Sequence, residues 1–214
     1  MSEKGRMVTD IQEFSRQRYR IYLEEEFAFV LYGGELSSYK LKVGGYLGEK
    51  EYQQIMAQLL PKRAKKRCLH LLKSRAYTEK ALRDKLKEGC YPAEVIEEAI
   101  KYVKSFHYLD DYDYACQYIG FRKERQSRRK LEEKLKEKGI SREILEEALK
   151  ASYEPGEEEQ LQRVQAQRLL EKKGYVGGHL EWKEKQKLYA FLMRKGISGG
   201  IIQQVLKIEA EEEY

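Results

Sequence analysis

Apolar positions recur at the helical interval through most of this chain, and they recur in copies. The phrase Glu94-Val95-Ile96-Glu97-Glu98-Ala99-Ile100 returns as Glu143-Ile144-Leu145-Glu146-Glu147-Ala148-Leu149 and again as Gly200-Ile201-Ile202-Gln203-Gln204-Val205-Leu206. Eight residues before each phrase stands a leucine (Leu86, Leu135, Leu192), and four before that another (Leu82, Leu131, Leu188), at offsets of 49 and then 57 residues. A fixed period of this size marks stacked supersecondary units, each too small to bury its apolar face alone. Val95, Ile96, Ala99, Ile100 and Val103 fall on one helical face, a core seam.

The pattern divides the chain into four parts. Residues 1–48 read as a β-rich extension: Val8 to Phe14 alternates, and Tyr19–Leu23 and Phe27–Leu31 are β-branched and aromatic runs, which predicts a three-stranded antiparallel meander closed by Gly33-Gly34. Repeat one spans 49–107. Pro61 breaks helices but suits a first turn, so one helix is expected over 49–59 and another over 61–74. A third is opened by Thr78 and closed near Gly89, and a fourth covers 93–106. Repeat two, 108–153, is expected to hold helices at 111–124, 127–138 and 141–152. Repeat three, 154–214, follows the break Tyr153-Glu154-Pro155-Gly156 with helices at 157–173, 181–195 and 198–209. The predicted fold is mainly α: three tandem three-helix bundles, elongated and curved, behind a small antiparallel β segment.

Composition fits a charged helical protein, with 41% hydrophobic and 36% charged residues and only three prolines. The net charge of +6 is uneven. Tyr52 to Thr78 contains no acid but seven bases, and Arg122 to Lys130 holds six bases against Glu124 alone, while Glu157-Glu158-Glu159 and Glu211-Glu212-Glu213 are acidic. Two basic stretches favour a polyanionic partner or an acidic protein groove; solvated helix faces are the plain alternative. The third helices carry the acids Glu94, Glu97, Glu98, Glu143, Glu146 and Glu147, which disfavours inserting them into a DNA groove as a helix-turn-helix reader would.

Catalysis finds little support. His70, His107 and His179 have no metal-ligand spacing to one another or to a cysteine, and neither a phosphate-binding glycine loop nor a nucleophile elbow occurs. Asp110, Asp111 and Asp113 could act as acid and base, but they stand where one helix ends and the next begins, which suits Asp110 as a cap and Asp111 at the positive end. No catalytic residue, metal or cofactor is expected. Cys68, Cys90 and Cys116 form no C-x-x-C pair, and with no signal sequence they read as reduced cytoplasmic thiols; Cys68 lies on an apolar stripe. The longest apolar run, Phe27–Tyr32, cannot cross a bilayer. Tyr102, Tyr108, Tyr112, Tyr114 and Tyr118 suit packing at the junction of repeats one and two better than base stacking.

Arg75-x-x-Thr78-x-x-x-Leu82-x-x-Lys85-Leu86, Tyr108-Leu109-Asp110-Asp111-x-x-x-Ala115, Leu131-x-x-x-Leu135-x-x-Lys138-Gly139-Ile140 and Lys187-Leu188-x-x-Phe191-Leu192-x-Arg194-Lys195-Gly196 resemble the RecX family of bacterial recombination regulators. The front segment, with Tyr22 to Ala28, resembles the N-terminal extension of its Gram-positive members. The resemblance covers nearly the whole chain. It implies a non-enzymatic, cytoplasmic monomer that binds the RecA recombinase in the groove of its filament and lowers ATP hydrolysis, strand exchange and coprotease activity. Single-stranded DNA is a second candidate ligand, and a sequence-independent DNA-binding protein is the rival reading of the same bases. On charge and position the contact residues are expected to be Arg75, Arg122, Arg125, Arg128, Arg129, Lys130, Lys187, Arg194 and Lys195. Many relatives carry Lys-x-Gly ahead of the middle helix of repeat two, whereas this chain has Arg125-Gln126-Ser127-Arg128-Arg129, a shorter and more basic loop.

Overall fold

In the computed structural model, which describes residues 5–175 and 181–207, the front segment is a sheet of order β3-β2-β1-β4, antiparallel throughout. The predicted meander is β1 (Arg6–Ser15), β2 (Arg18–Leu23) and β3 (Glu26–Tyr32). Glu24 and Glu25 make the tight β2–β3 turn with φ of 52° and 71°, a backbone that matches the twist of the strands it joins. The sheet is larger than the alternation predicted, because β4 (Tyr46–Leu47) returns to pair with Arg6 and Met7. Gly33-Gly34 opens a short helix, α1 (Gly33–Ser38), rather than ending in a plain turn.

The expected break at Pro61 is absent. Helix α2 (Glu49–Gln54) runs through a π-helical turn, Ile55–Leu59, into α3 (Leu60–Ser74). Proline lacks an N–H and crowds the carbonyl four residues back, and a widened turn in front of it relieves both. The N–H of Leu60 accordingly bonds five residues back, to Ile55 O.

The rest of the chain is three three-helix modules: α3 with α4 (Glu79–Glu88) and α5 (Ala93–Ser105); α6 (Asp111–Gly120), α7 (Arg128–Glu137) and α8 (Arg142–Ser152); and α9 (Glu157–Glu171), α10 (Trp182–Arg194) and α11 (Gly199–Leu206). In each, the third helix packs on both the first and the second. The repeated residues drive this: Leu82, Leu86, Leu131, Leu135 and Leu192 are fully buried, and the apolar pairs Val95-Ile96 and Ile201-Ile202 are buried beside them. The second leucine series has one weak member, since Leu188 is only half-buried.

Each middle helix ends in the same way. Four residues past the last repeated leucine, Cys90, Gly139 and Gly196 adopt φ of 58°, 87° and 85°. The next residue donates its N–H to the carbonyl of that leucine: Tyr91 to Leu86 (3.3 Å), Ile140 to Leu135 (3.1 Å) and Ile197 to Leu192 (3.2 Å). This six-to-one bond engages a carbonyl of the last turn, where the helix runs out of its own donors, and it requires a left-handed residue. Cys90, not Gly89, fills that position in the first module.

The chain divides into two compact units, up to Asp110 and from Asp111 onward. In the first, the sheet shares one core with α3–α5, in which Val8, Ile21, Phe29 and Leu31 meet Leu60, Ala64, Cys68 and Ile100. Arg63 ties sheet to helix, with Nη1 on Glu35 Oε2 at 2.9 Å and its guanidinium 4.7 Å from the Tyr32 ring. Burial pushes the Cys68 thiol up to about 11, which leaves it unreactive at neutral pH. The second unit has two cores, one around Leu131, Leu135 and Leu149 and one around Ala166, Leu192 and Ile202.

Candidate polyanion-binding surface

In the second unit, α9 meets the second module through polar rather than apolar side chains. Gln165, 7% exposed, donates Nε2 to Lys123 O (2.7 Å) and Gln126 O (3.2 Å), fixing the α6–α7 connection. Lys123 closes the same joint, with Nζ on Glu157 (2.6 Å) and on Ser152 O (2.8 Å). Ser127 stands at the N-cap of α7, as Thr78 does for α4. Thr78 accepts from Ala81 N at 3.2 Å, but the Ser127 hydroxyl makes no cap and donates instead to Lys195 O at 2.7 Å. Opposite it Gly196 has no room for a side chain, since a Cβ would meet Ser127 Oγ and lie 3.3 Å from Arg129 Cβ.

Clefts open on either side of this Ser127–Lys195 bond. One, of about 420 Å³, is lined by Glu124, Arg125, Gln126, Ser127, Lys130, Gln165, Arg168, Leu169, Lys172, Lys195 and Ile197. It gathers five cations and one acid, and among the described residues Arg125, Lys130, Arg168 and Lys172 have no carboxylate within ion-pair distance. The other, of about 590 Å³, also carries cations, but Arg129 is paired with Glu133 (3.2 Å) and Lys134 with Glu137 (2.7 Å).

The structure thus brings five of the nine expected contact residues to one region: Arg125, Lys130 and Lys195 at the first cleft, with Arg129, Lys130, Arg194 and Lys195 at the second. Arg128 is half-exposed, lines neither cleft, and is paired with Glu158 (2.8 Å) and Glu132 (3.1 Å). Arg122 lies over Tyr118 at 4.1 Å, Lys187 is exposed on α10 outside both clefts, and Arg75, in the first unit, lies over Tyr77 at 4.6 Å. Sequence reasoning missed Arg168 and Lys172. Their signal was their position on the face of α9 that carries Gln165, at i+3 and i+7.

The acidic constellation stands at the junction of α5 and α6. His107, with φ of 54°, closes α5 through the Tyr108 N–H to Val103 O bond (3.0 Å), and Asp111 and Asp113 lie in the first turn of α6, where the helix dipole favours them. Among the described residues no group of His, Cys, Asp and Glu could hold a metal, and no helix is long and apolar enough to cross a membrane; His179 lies outside those residues.

Comparison with known proteins finds three family models in chain order: the first three-helix domain of RecX on residues 64–102, the second on 110–149 and the third on 158–206. Among curated relatives, "Regulatory protein RecX" of Clostridium perfringens (strain SM101 / Type A) is 28% identical over 208 residues, covering 96% of each chain. Its counterpart from Clostridium botulinum (strain Eklund 17B / Type B) is 26% identical over 198 residues, covering 92% of each. Of solved structures, a crystal structure of regulatory protein RecX matches with TM-score 0.63 and 26% identity over 95% of this chain and all of that one. A RecX structure from Lactobacillus salivarius matches with TM-score 0.59 and 22% identity over 69% of this chain and 95% of that one, a likeness of fold.

Proposed function

The chain belongs to the RecX family of regulatory proteins, and from that premise we propose that it is a non-enzymatic, cytoplasmic regulator that binds the RecA recombinase filament as a monomer and inhibits or modulates its ATPase, strand-exchange and coprotease activities. The observation that carries the reading is the match of three successive RecX domains, in order, to three modules with the same buried leucines and the same helix closure. Repeated modules suit a repeating partner, because equivalent surfaces can engage successive subunits and weak contacts in series add through effective concentration.

The nine bases Arg75, Arg122, Arg125, Arg128, Arg129, Lys130, Lys187, Arg194 and Lys195 are the proposed contact set for acidic surface on RecA or for filament DNA. Within it, the geometry favours Arg125, Lys130, Arg194 and Lys195 over Arg128 and Arg129, whose charges Glu132, Glu158 and Glu133 already meet. Positive charge at the clefts speeds encounter with a DNA-loaded filament and makes the effect salt-sensitive.

The test is RecA ATP hydrolysis on single-stranded DNA with increasing amounts of this protein. The expected result is a changed rate at stoichiometric levels, with Arg125→Ala/Lys130→Ala/Lys195→Ala shifting the required concentration upward about tenfold or more. An unchanged rate removes the proposal. The unpaired cations of the smaller cleft favour one rival, a DNA-binding protein with no need of RecA. A steep log–log loss of affinity for bare DNA with salt, unaltered by adding RecA, would support that rival.

A further inference from the structure

The smaller cleft has properties that a flat protein interface does not need. Five cations converge on one concavity from four segments: Arg125 from the α6–α7 connection, Lys130 from α7, Arg168 from α9 with Lys172 at its C-terminal cap, and Lys195 from the α10–α11 connection. Like charges crowded into one recess repel, and that repulsion opposes the folded state until a counter-charge enters. The neighbouring cleft shows the usual remedy, with Glu133 and Glu137 each meeting a cation; here only Glu124 is present and it makes no ion pair with these groups. The wall is also incomplete in hydrogen bonding, since Gln126 Oε1 is buried with no partner among the described residues. Buried polar atoms are nearly always satisfied in a finished interior, so an orphan in a charged wall points to a ligand or ordered solvent that completes it.

Size and lining narrow the chemistry. About 420 Å³ lies within the range of small-molecule sites. Strand-binding grooves track a backbone and offer aromatic rings to successive bases, whereas this lining contains no aromatic residue, only Leu169 and Ile197 beside the polar groups. A compact, densely charged anion answers both features. We propose that this cleft is a binding site for an oligophosphate, a run of consecutive phosphates such as a free nucleoside triphosphate or inorganic tripolyphosphate carries, held by Arg125, Lys130, Arg168, Lys172 and Lys195. The site reads phosphate charge rather than base, and it operates without RecA.

The experiment is calorimetric titration of the full chain with inorganic tripolyphosphate at low ionic strength, with RecA absent. The expected result is saturable binding and a melting temperature that rises with tripolyphosphate concentration, since a ligand that binds only the folded state stabilises it. Arg168→Glu/Lys172→Glu, both exposed and outside the cores, is expected to weaken binding at least about tenfold, whereas Lys40→Glu/Lys42→Glu, an equal change of charge in the first unit, should alter it less than about twofold. Melting of the unliganded variants verifies that they fold. Two further arms identify the source of the phosphate: ATP, expected to bind as tripolyphosphate does, and a short oligothymidylate without a terminal phosphate, expected to bind more weakly and to be displaced by tripolyphosphate. No saturable binding of tripolyphosphate, equal losses in the two double variants, or cleft-dependent binding of the oligothymidylate alone would each overturn the proposal. The binding readouts contain no RecA, so a failure here leaves the regulator reading standing, and an unchanged RecA rate leaves this site standing.

Discussion

Cys90 sits where Gly139 and Gly196 sit in the other two modules, and it has to adopt their left-handed backbone with a side chain attached. For a residue with a Cβ that conformation costs about 1 kcal/mol or more. The compensation visible is slight, a long contact of 4.0 Å from Arg20 Nη2 to its sulfur. Cys90→Gly is therefore expected to stabilise the protein by up to about 1 kcal/mol, read as a higher urea midpoint at unchanged slope. A lower midpoint would show that the Cys90 side chain contributes more than its backbone costs. The register of the leucine repeats identifies this position, since it lies four residues after Leu86, Leu135 and Leu192 alike, but Gly89 next to it looks like the cap when the helix is read alone. The role of Ser127 was less accessible. Its place matches Thr78, and only the packed structure shows its hydroxyl turned to Lys195.

At the scale of the element, legibility follows apolar pattern. Helices α4, α5, α7, α8 and α11 carry leucine and isoleucine at helical spacing, and their spans lie close to those the spacing predicts. Helix α9 is different: the side it turns to the second module bears Glu158, Gln165 and Arg168, so no hydrophobic signal announces the joint or the cleft beside it. The π-turn before Pro61 was illegible for another reason, since a proline tells that a hydrogen bond is lost but not whether the helix stops or widens. The repeats also predict a graded response to the same substitution. Leu131→Ala, at a fully buried site, is expected to cost about 2–5 kcal/mol, whereas Leu188→Ala, its equivalent in the third module, should cost much less because solvent already reaches it. Equal losses in chemical denaturation would mean that equivalent positions are equally packed.

Over the whole molecule, 42 bases and 36 acids give the net charge of +6, and acids such as Glu79, Glu157 and Glu158 are engaged in holding local structure. The hydrogen bond from Lys123, and that from the Glu154 N–H, hold the Glu157 carboxyl below the ordinary carboxylate range; Arg83 does the same for Glu97. A carboxyl whose pKa is lower when folded takes up its proton first in the unfolded chain. Its contribution is therefore complete above the unfolded value of about 4.3 and drains away as pH falls through the lower folded one. Stability is expected to be flat from neutrality to about pH 5 and to decline below it, and Glu157→Gln should make that decline shallower. Urea midpoints measured against pH check both, and an identical acid limb in the variant would remove Glu157 from the account.

The Ser127 hydroxyl has one proton to give, and it goes to the neighbouring module rather than to its own helix. Modular chains are commonly imagined as beads that can be duplicated, deleted or shuffled. This bead cannot be moved unchanged: placed ahead of any sequence lacking the Lys195-Gly196 corner, it would lose its tether and regain at best an ordinary helix cap. The copies have become position-specific parts, and lengthening such a protein by inserting another module at this seam would require rewriting both edges of the seam together.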